Sequence, residues 1–110
     1  MTAPAPGNEQ RRATRKQAGS RAPVVDVIRD QPMGHLGNLS ATGLLLIGTH
    51  APRRDAVYQV RLSLPEPIEV GIQAQWHEPA ASPGQIWAGY RIIAIGNDDA
   101  ARLEHWLQQG

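Results

Sequence analysis

Apolar and polar side chains alternate along much of the chain between residues 23 and 95. The alternation is clearest over residues 57–64, and residues 68–76 carry apolar side chains at every even position. A period of two is typical of strands that bury one face. Residues 44–47 are apolar without interruption, which predicts a strand buried on both faces.

Three further strands are predicted at residues 24–28, 34–39 and 86–95, separated by connections that contain Pro, Gly and polar residues. Gly89 lies inside the last of these strands, and glycine there indicates a bulge or a close approach to the backbone. A barrel of this size removes the exposed edges that an open sheet would leave. We therefore predict a mainly β fold, a small six-stranded antiparallel β-barrel over residues 23–95.

The period changes at the end of the chain, where a short amphipathic helix is predicted over residues 98–109. Asn97 or Asp98 can cap this helix, and Asp98 and Asp99 place negative charge in its first turn, where the helix dipole favours it. Its apolar face consists of Ala100, Leu103, Trp106 and Leu107. We expect this helix on the outside of the barrel.

Basic residues are concentrated ahead of the predicted barrel. The chain has 110 residues, enough for one domain, and a formal net charge of +1. Residues 1–10 are rich in Pro, Ala and Gly and predict a disordered tail. Residues 11–21 predict a flexible basic arm that carries Arg11, Arg12, Arg15, Lys16 and Arg21. Such a local cluster on a nearly neutral chain indicates a defined anionic partner.

Catalysis is not supported by the residues. The chain has no cysteine, and its four histidines show no spacing typical of metal ligands. No glycine-rich phosphate loop or nucleophile motif is present. We therefore expect neither an enzyme nor a metal cofactor. The sequence also has no signal-peptide core and no apolar run long enough to span a membrane, so we expect a cytoplasmic protein without membrane insertion.

A polar corner precedes the most apolar strand, in the pattern Asn38-x-Ser40-x-x-Gly43. Asn and Ser side chains stabilise such corners by hydrogen bonds to nearby backbone, and Gly43 is free to take a positive φ. The Asn38 amide and the Ser40 hydroxyl can also bind the edge of a nucleobase. Trp76, at the end of a strand, can offer an aromatic face to a ligand or pack at the rim of the core.

The arm contains a second pattern, Arg11-x-x-x-Arg15. Guanidinium groups bind phosphate with two parallel hydrogen bonds and stack on purine rings. The two patterns together resemble the paired signature of PilZ domains, R-x-x-x-R and [D/N]-x-S-x-x-G. The resemblance extends from about Gln10 to Leu107 and implies a PilZ-type barrel that is a receptor for cyclic di-GMP, a bacterial second messenger.

The resemblance also implies roles for individual residues. Arg11, Arg12 and Arg15 would wrap the ligand's phosphates and stack on guanine. Asn38 and Ser40 would bind a guanine edge, and Gly43 would permit the turn. Trp76 matches a position where some PilZ domains stack an aromatic ring near the ligand. Whether one or two ligand molecules bind is left open.

The alignment of the arm has an alternative. In many PilZ domains the second arginine runs almost directly into the first strand, and here Arg21 is closer to that junction than Arg15. If Arg21 holds the second place, Gln17 holds the first and the motif is degenerate. The intact pair Arg11 and Arg15, with Arg12 beside it, favours the first alignment.

The resemblance implies that the ligand folds the arm over the barrel and changes a surface that acts on a separate effector protein. Motility and biofilm formation are among the outputs that the family allows. The main alternative is a PilZ-like adaptor that binds no nucleotide and works by protein contacts, for instance in type IV pilus assembly. A general binder of single-stranded nucleic acid is less consistent with the sequence, because the barrel strands carry little positive charge.

Overall fold

The computed structural model describes residues 16–17 and 22–109. In this part of the chain it contains seven strands and one helix. In chain order these are β1 (Lys16–Gln17), β2 (Pro23–Asp26), β3 (Gln31–Leu39), β4 (Gly43–Gly48), β5 (Val57–Leu62), β6 (Ile68–Pro79), β7 (Ile86–Ile95) and α1 (Asn97–Gln108).

Six of these strands form a closed antiparallel barrel. Neighbouring strands follow the order β3-β2-β5-β6-β7-β4, and β4 pairs with β3 to complete the ring. The prediction of a six-stranded antiparallel barrel with a C-terminal helix is therefore confirmed. The short strand β1, which the sequence did not predict, pairs antiparallel with the end of β3.

The barrel interior is filled by aliphatic side chains. The even positions of β6 from Ile68 to Ala74 point inward, as the alternation predicted. In β4, Leu44, Leu45 and Leu46 are all buried, which confirms a strand covered on both faces. Fully burying one such side chain contributes about 1.5–3 kcal/mol, so this interior is the main source of stability for the barrel.

The connection between β2 and β3 differs from the predicted one. The sequence predicted strands over residues 24–28 and 34–39 with the turn between them, at Pro32, but the turn covers residues 27–30 and Pro32 lies in β3. Pro32 is tolerated because it lies next to a bulge in the β2–β3 pairing. The β2–β3 hairpin is therefore longer and tighter than predicted.

The side chain of Asp26 forms this turn. Its Oδ1 accepts hydrogen bonds from the backbone N–H groups of Ile28 and Arg29, both at 3.0 Å, and its Oδ2 pairs with the Arg29 guanidinium at 2.9 Å. Burial raises the pKa of Asp26. The backbone hydrogen bonds from Arg29 and Ile28, together with the hydrogen bond and positive charge of the Arg29 side chain, outweigh this effect, so the pKa lies below its ordinary value. The carboxylate is thus held in its charged form.

The helix begins differently from the prediction. Its N-cap is Gly96, with no side-chain cap, so the capping role predicted for Asn97 or Asp98 is wrong. Asp99 instead connects the first turn to the barrel, because its Oδ2 accepts a hydrogen bond from the backbone of Glu69 at 3.2 Å. Leu103 is buried against the barrel, so the apolar face that the sequence predicted is the face that packs.

Candidate functional site

The polar corner between β3 and β4 is organised by Ser40. Its side chain is fully buried, at 0% exposure. The hydroxyl oxygen accepts hydrogen bonds from the backbone N–H groups of Thr42 at 3.3 Å and Gly43 at 3.2 Å, and the hydroxyl donates to the Gly43 carbonyl at 3.2 Å. The Ser40 backbone N–H donates to the same carbonyl at 2.9 Å. Ser40 therefore stabilises the corner from beneath.

Gly43 is required for a reason other than the predicted one. Its φ is not positive, in contrast to those of Gly34 and Gly84. A Cβ atom at Gly43 would lie 2.6 Å from the carbonyl oxygen of Tyr90, which belongs to the neighbouring strand β7. The absent side chain thus allows β4 and β7 to pair closely where β4 begins.

A row of directly paired residues crosses the outside of the barrel from this corner. Asn38 on β3 pairs with Leu45 on β4, Leu45 pairs with Gly89 on β7, and Gly89 pairs with Trp76 on β6. At the other end of the row, Gln17 of β1 pairs with Asn38. The pairing therefore connects Gln17 in the middle of the basic arm, the polar corner and Trp76 in one line.

A bulge directs Trp76 toward the outside of the barrel. The β6–β7 register shifts between Ala74 and Trp76, so Gln75 is the extra residue. By simple alternation Trp76 would have pointed inward like Ala74, but its side chain is 48% exposed. Its indole ring lies directly over Gly89, where any Cβ would contact it. The close approach predicted at Gly89 is confirmed, and the approaching group is this ring.

These residues border an open groove of about 530 Å³. Its lining consists of Asn38, Thr42, Gly43, Leu44, Leu45, Gln75, Trp76, Glu78, Trp87, Gly89, Tyr90 and Arg91. The groove is thus broad, and its wall contains two tryptophans, one acidic residue and one basic residue. An aromatic wall with a few polar and charged groups is typical of a site for a flat, polar ligand.

Arg91 and Glu78 supply the charge of the groove. The Arg91 guanidinium donates a hydrogen bond from Nη2 to Gln73 Oε1 at 3.1 Å. The ion pairs of the described residues, Asp26 with Arg29 and Asp99 with Arg102, do not include it. Burial, with a smaller contribution from Tyr58, raises the pKa of Tyr90 well above its usual range, so this phenol stays neutral. The groove can therefore hold an anion at the Arg91 side.

The structure brings together some of the predicted site residues. Asn38, Gly43 and Trp76 line the groove, whereas Ser40 lies beneath it with its hydroxyl occupied by the corner. A direct contact of Ser40 with a guanine edge stays a prediction. The remaining predicted residues, Arg11, Arg12, Arg15 and Arg21, lie outside the described part of the chain.

Sequence reasoning missed Arg91 and Trp87, although a signal for both was present. They lie two residues after and two residues before Gly89 on β7, and side chains two positions apart share a face of a strand. Once Gly89 was predicted as a point of close approach, the same period would have placed both side chains beside it. Leu45 was missed because an unbroken apolar run does not show which residue faces outward.

The described part of the chain lacks both a metal-binding cluster and a membrane-spanning helix. No group of three or more His, Asp or Glu side chains there could hold a metal ion. The helix α1 is too short and too polar to cross a membrane, and residues 16–17 and 22–109 contain no other helix.

No protein-family model matches the chain, and no curated protein matches it. Solved structures do. The Bacillus subtilis inhibitor of motility MotI/DgrA superposes with a TM-score of 0.75 at 15% identity, over 91% of this chain and 50% of that one. The PilZ domain of Escherichia coli YcgR with c-di-GMP superposes with a TM-score of 0.66 at 10% identity, over 90% of this chain and 89% of that one.

The chain therefore has the fold of a PilZ domain, as the paired motifs predicted. It spans half the length of the MotI/DgrA chain.

Proposed function

We propose that this chain is a receptor for cyclic di-GMP, which binds in the groove between the polar corner and Trp76 and is enclosed by the arginines of the arm. The observation that carries the proposal is the pairing of Lys16 with Leu39 and of Gln17 with Asn38. Arg15 is the residue before Lys16. Residues 16–17, in the middle of the arm, are therefore next to the corner motif, although the two are distant in sequence.

The same pairing supports the alignment in which Arg11 and Arg15 form the signature pair. Because β1 runs antiparallel to β3, Lys16 opposes Leu39, one residue before Ser40, so we place the residues that precede Lys16 on the side of the corner and the groove. Arg21 instead precedes Ala22, whose carbonyl accepts a hydrogen bond from the Leu36 backbone at 2.8 Å, farther from the corner. We propose Arg11, Arg12 and Arg15 as the phosphate-binding residues.

The groove offers the chemistry that the rest of this ligand requires. The exposed ring of Trp76 is a stacking surface for guanine, and stacking a base on an aromatic side chain contributes about 1–3 kcal/mol. Asn38 is at the edge of the groove nearest to the arm. The ligand's two phosphates supply the negative charge that the basic arm requires.

Several contacts must act together to hold the arm. Ordering about five arm residues costs on the order of 5–10 kcal/mol of backbone entropy. Each charge-assisted hydrogen bond contributes about 1.5–3 kcal/mol. We propose that the bound ligand folds the arm over the barrel and that the new surface acts on a separate effector protein. MotI/DgrA is named as an inhibitor of motility, which makes control of motility a first output to examine.

Isothermal titration with cyclic di-GMP tests the proposal, using the wild type and the variants Arg11→Ala, Arg15→Ala and Arg21→Ala. Arg61→Ala is the matched control, since Arg61 is an exposed arginine on β5 that does not line the groove. We expect micromolar or tighter binding that weakens by about ten- to a hundredfold in the Arg11 and Arg15 variants, because each loses charge-assisted bonds.

The other outcomes are equally informative. Binding that is lost only in Arg21→Ala would show a receptor whose arm is aligned on Arg21 instead. Equal losses in all four variants would indicate a nonspecific charge effect. No binding by the wild type would refute the receptor and leave the adaptor that works by protein contacts.

A further inference from the structure

Arg91 lies beside the ring of Trp76 on the outside of the barrel. Side chains on a strand alternate between its faces, and Tyr90, between Gly89 and Arg91, points inward and is 6% exposed. Gly89 and Arg91 therefore share the outer face, about 6.6 Å apart along β7. Since the Trp76 ring covers Gly89, Arg91 flanks that ring.

The guanidinium of Arg91 is positioned but not neutralised. Gln73 on the adjacent strand β6 is its direct pairing partner, and Gln73 Oε1 accepts the 3.1 Å hydrogen bond from Nη2. Gln73 is itself fixed, because its Nε2 donates to the Asp55 carbonyl at 3.3 Å. Among residues 22–109 no carboxylate forms an ion pair with Arg91. A guanidinium has five N–H donors, so most of them are available to a ligand.

We propose that Arg91 is a further ligand-binding residue, which donates two hydrogen bonds to the O6 and N7 atoms of a guanine stacked on Trp76. A base on the exposed ring would have one edge toward Arg91, within reach of its long side chain. Guanine presents two neighbouring acceptors, O6 and N7, which match the two parallel donors of a guanidinium. Adenine presents a donor in place of O6, so the same contact selects guanine.

This inference rests on the proposed function, since it concerns the same groove and ligand. It adds a role for β7 and assigns Gln73 as the positioning residue. The contact is separate from the arginines of the arm, because Arg91 is fixed on the barrel by its pairing with Gly43 and Gln73. In this arrangement the barrel itself, and not the arm, recognises the base.

Calorimetric titration with two ligands tests the assignment. One ligand is cyclic di-GMP, and the other is its analogue in which both guanines carry a C–H group in place of N7. Arg91→Gln should weaken cyclic di-GMP binding by about ten- to a hundredfold. Arg91→Lys should not restore it, since an ammonium lacks the planar fork. Arg61→Gln is the control with the same change of charge and should leave affinity within twofold of wild type.

The pair of ligands separates a base contact from a phosphate contact. If Arg91 binds N7, the analogue should bind the wild type more weakly than cyclic di-GMP, and Arg91→Gln should lose most of this difference. An equal loss of affinity for both ligands would overturn the guanine contact. Wild-type binding that Arg91→Gln leaves unchanged would overturn the inference alone, whereas no wild-type binding would overturn it together with the proposed receptor.

Discussion

Replacing Ser40 with alanine should destabilise the barrel, because its hydroxyl holds the corner between β3 and β4. The substitution removes two hydrogen bonds accepted from backbone N–H groups and one donated to the Gly43 carbonyl. Thr42 is exposed, so water can replace its bond, but the bond to Gly43 is buried. A buried N–H group left without a partner costs about 1–3 kcal/mol. We expect Ser40→Ala to lower the free energy of unfolding by that amount.

Urea denaturation followed by tryptophan fluorescence measures this loss. With a slope of about 2 kcal/mol per M, a loss of about 2 kcal/mol moves the midpoint by about 1 M. Ser63→Ala is the matched control, because Ser63 is exposed and its hydroxyl makes no side-chain hydrogen bond among the described residues; it should change stability by less than about 0.5 kcal/mol. Equal midpoints for the two variants would refute the role of the Ser40 hydroxyl in the corner.

Three further predictions concern single positions. Gly43→Ala should cost about 1–3 kcal/mol in a thermal melt, because its Cβ would lie 2.6 Å from the Tyr90 carbonyl oxygen and both strands must shift; an unchanged melt would contradict the close pairing. Gly89→Ala should displace the Trp76 ring with little loss of stability, because a flexible side chain can move aside, and this should alter the tryptophan emission spectrum and weaken ligand binding. Asp26→Asn should destabilise more at pH 7 than at pH 3. The lowered pKa of Asp26 means that its stabilisation is complete above the unfolded-state pKa of about 3.9 and is lost as the pH falls through the folded-state pKa. If urea titrations give the same difference in stability between wild type and Asp26→Asn at both pH values, the proposed role of this carboxylate is wrong.

Alternation along the chain was sufficient for the barrel and most of its strands. The residues from Ile68 to Ala74 show why, since each even position is buried as a period of two requires. The alternation failed at Trp76, where the bulge at Gln75 reverses the face. A bulge adds a residue without any marker of its own in the sequence, and Gln75 is an ordinary strand residue. Its position became visible only from the pairing with β7.

The candidate site was predictable in part for a related reason. The pattern of Asn38, Ser40 and Gly43 correctly predicted a corner. It did not distinguish the residues that form the corner from the residues that face the groove. That separation depends on burial, which the sequence does not display for a polar residue such as Ser40. The period of two could have placed Arg91 beside Gly89, but its proposed binding role depends on Gln73 and Trp76, which lie on a different strand.

The two halves of the signature therefore have different physical roles. The Ser40 hydroxyl accepts a hydrogen bond from the Gly43 backbone, and the lack of a side chain at Gly43 allows β4 to pair closely with β7. The fold requires both features with or without a ligand. The described barrel is complete without the guanidinium groups of Arg11 and Arg15, since its core and its ring of paired strands come from residues 22–109. A chain that kept the corner and lost these arginines would keep this fold and lose the proposed ligand. A Ser40 variant therefore disturbs the corner as well as any contact of its hydroxyl with the ligand, whereas loss of binding in a stable Arg15 variant would report the ligand contact.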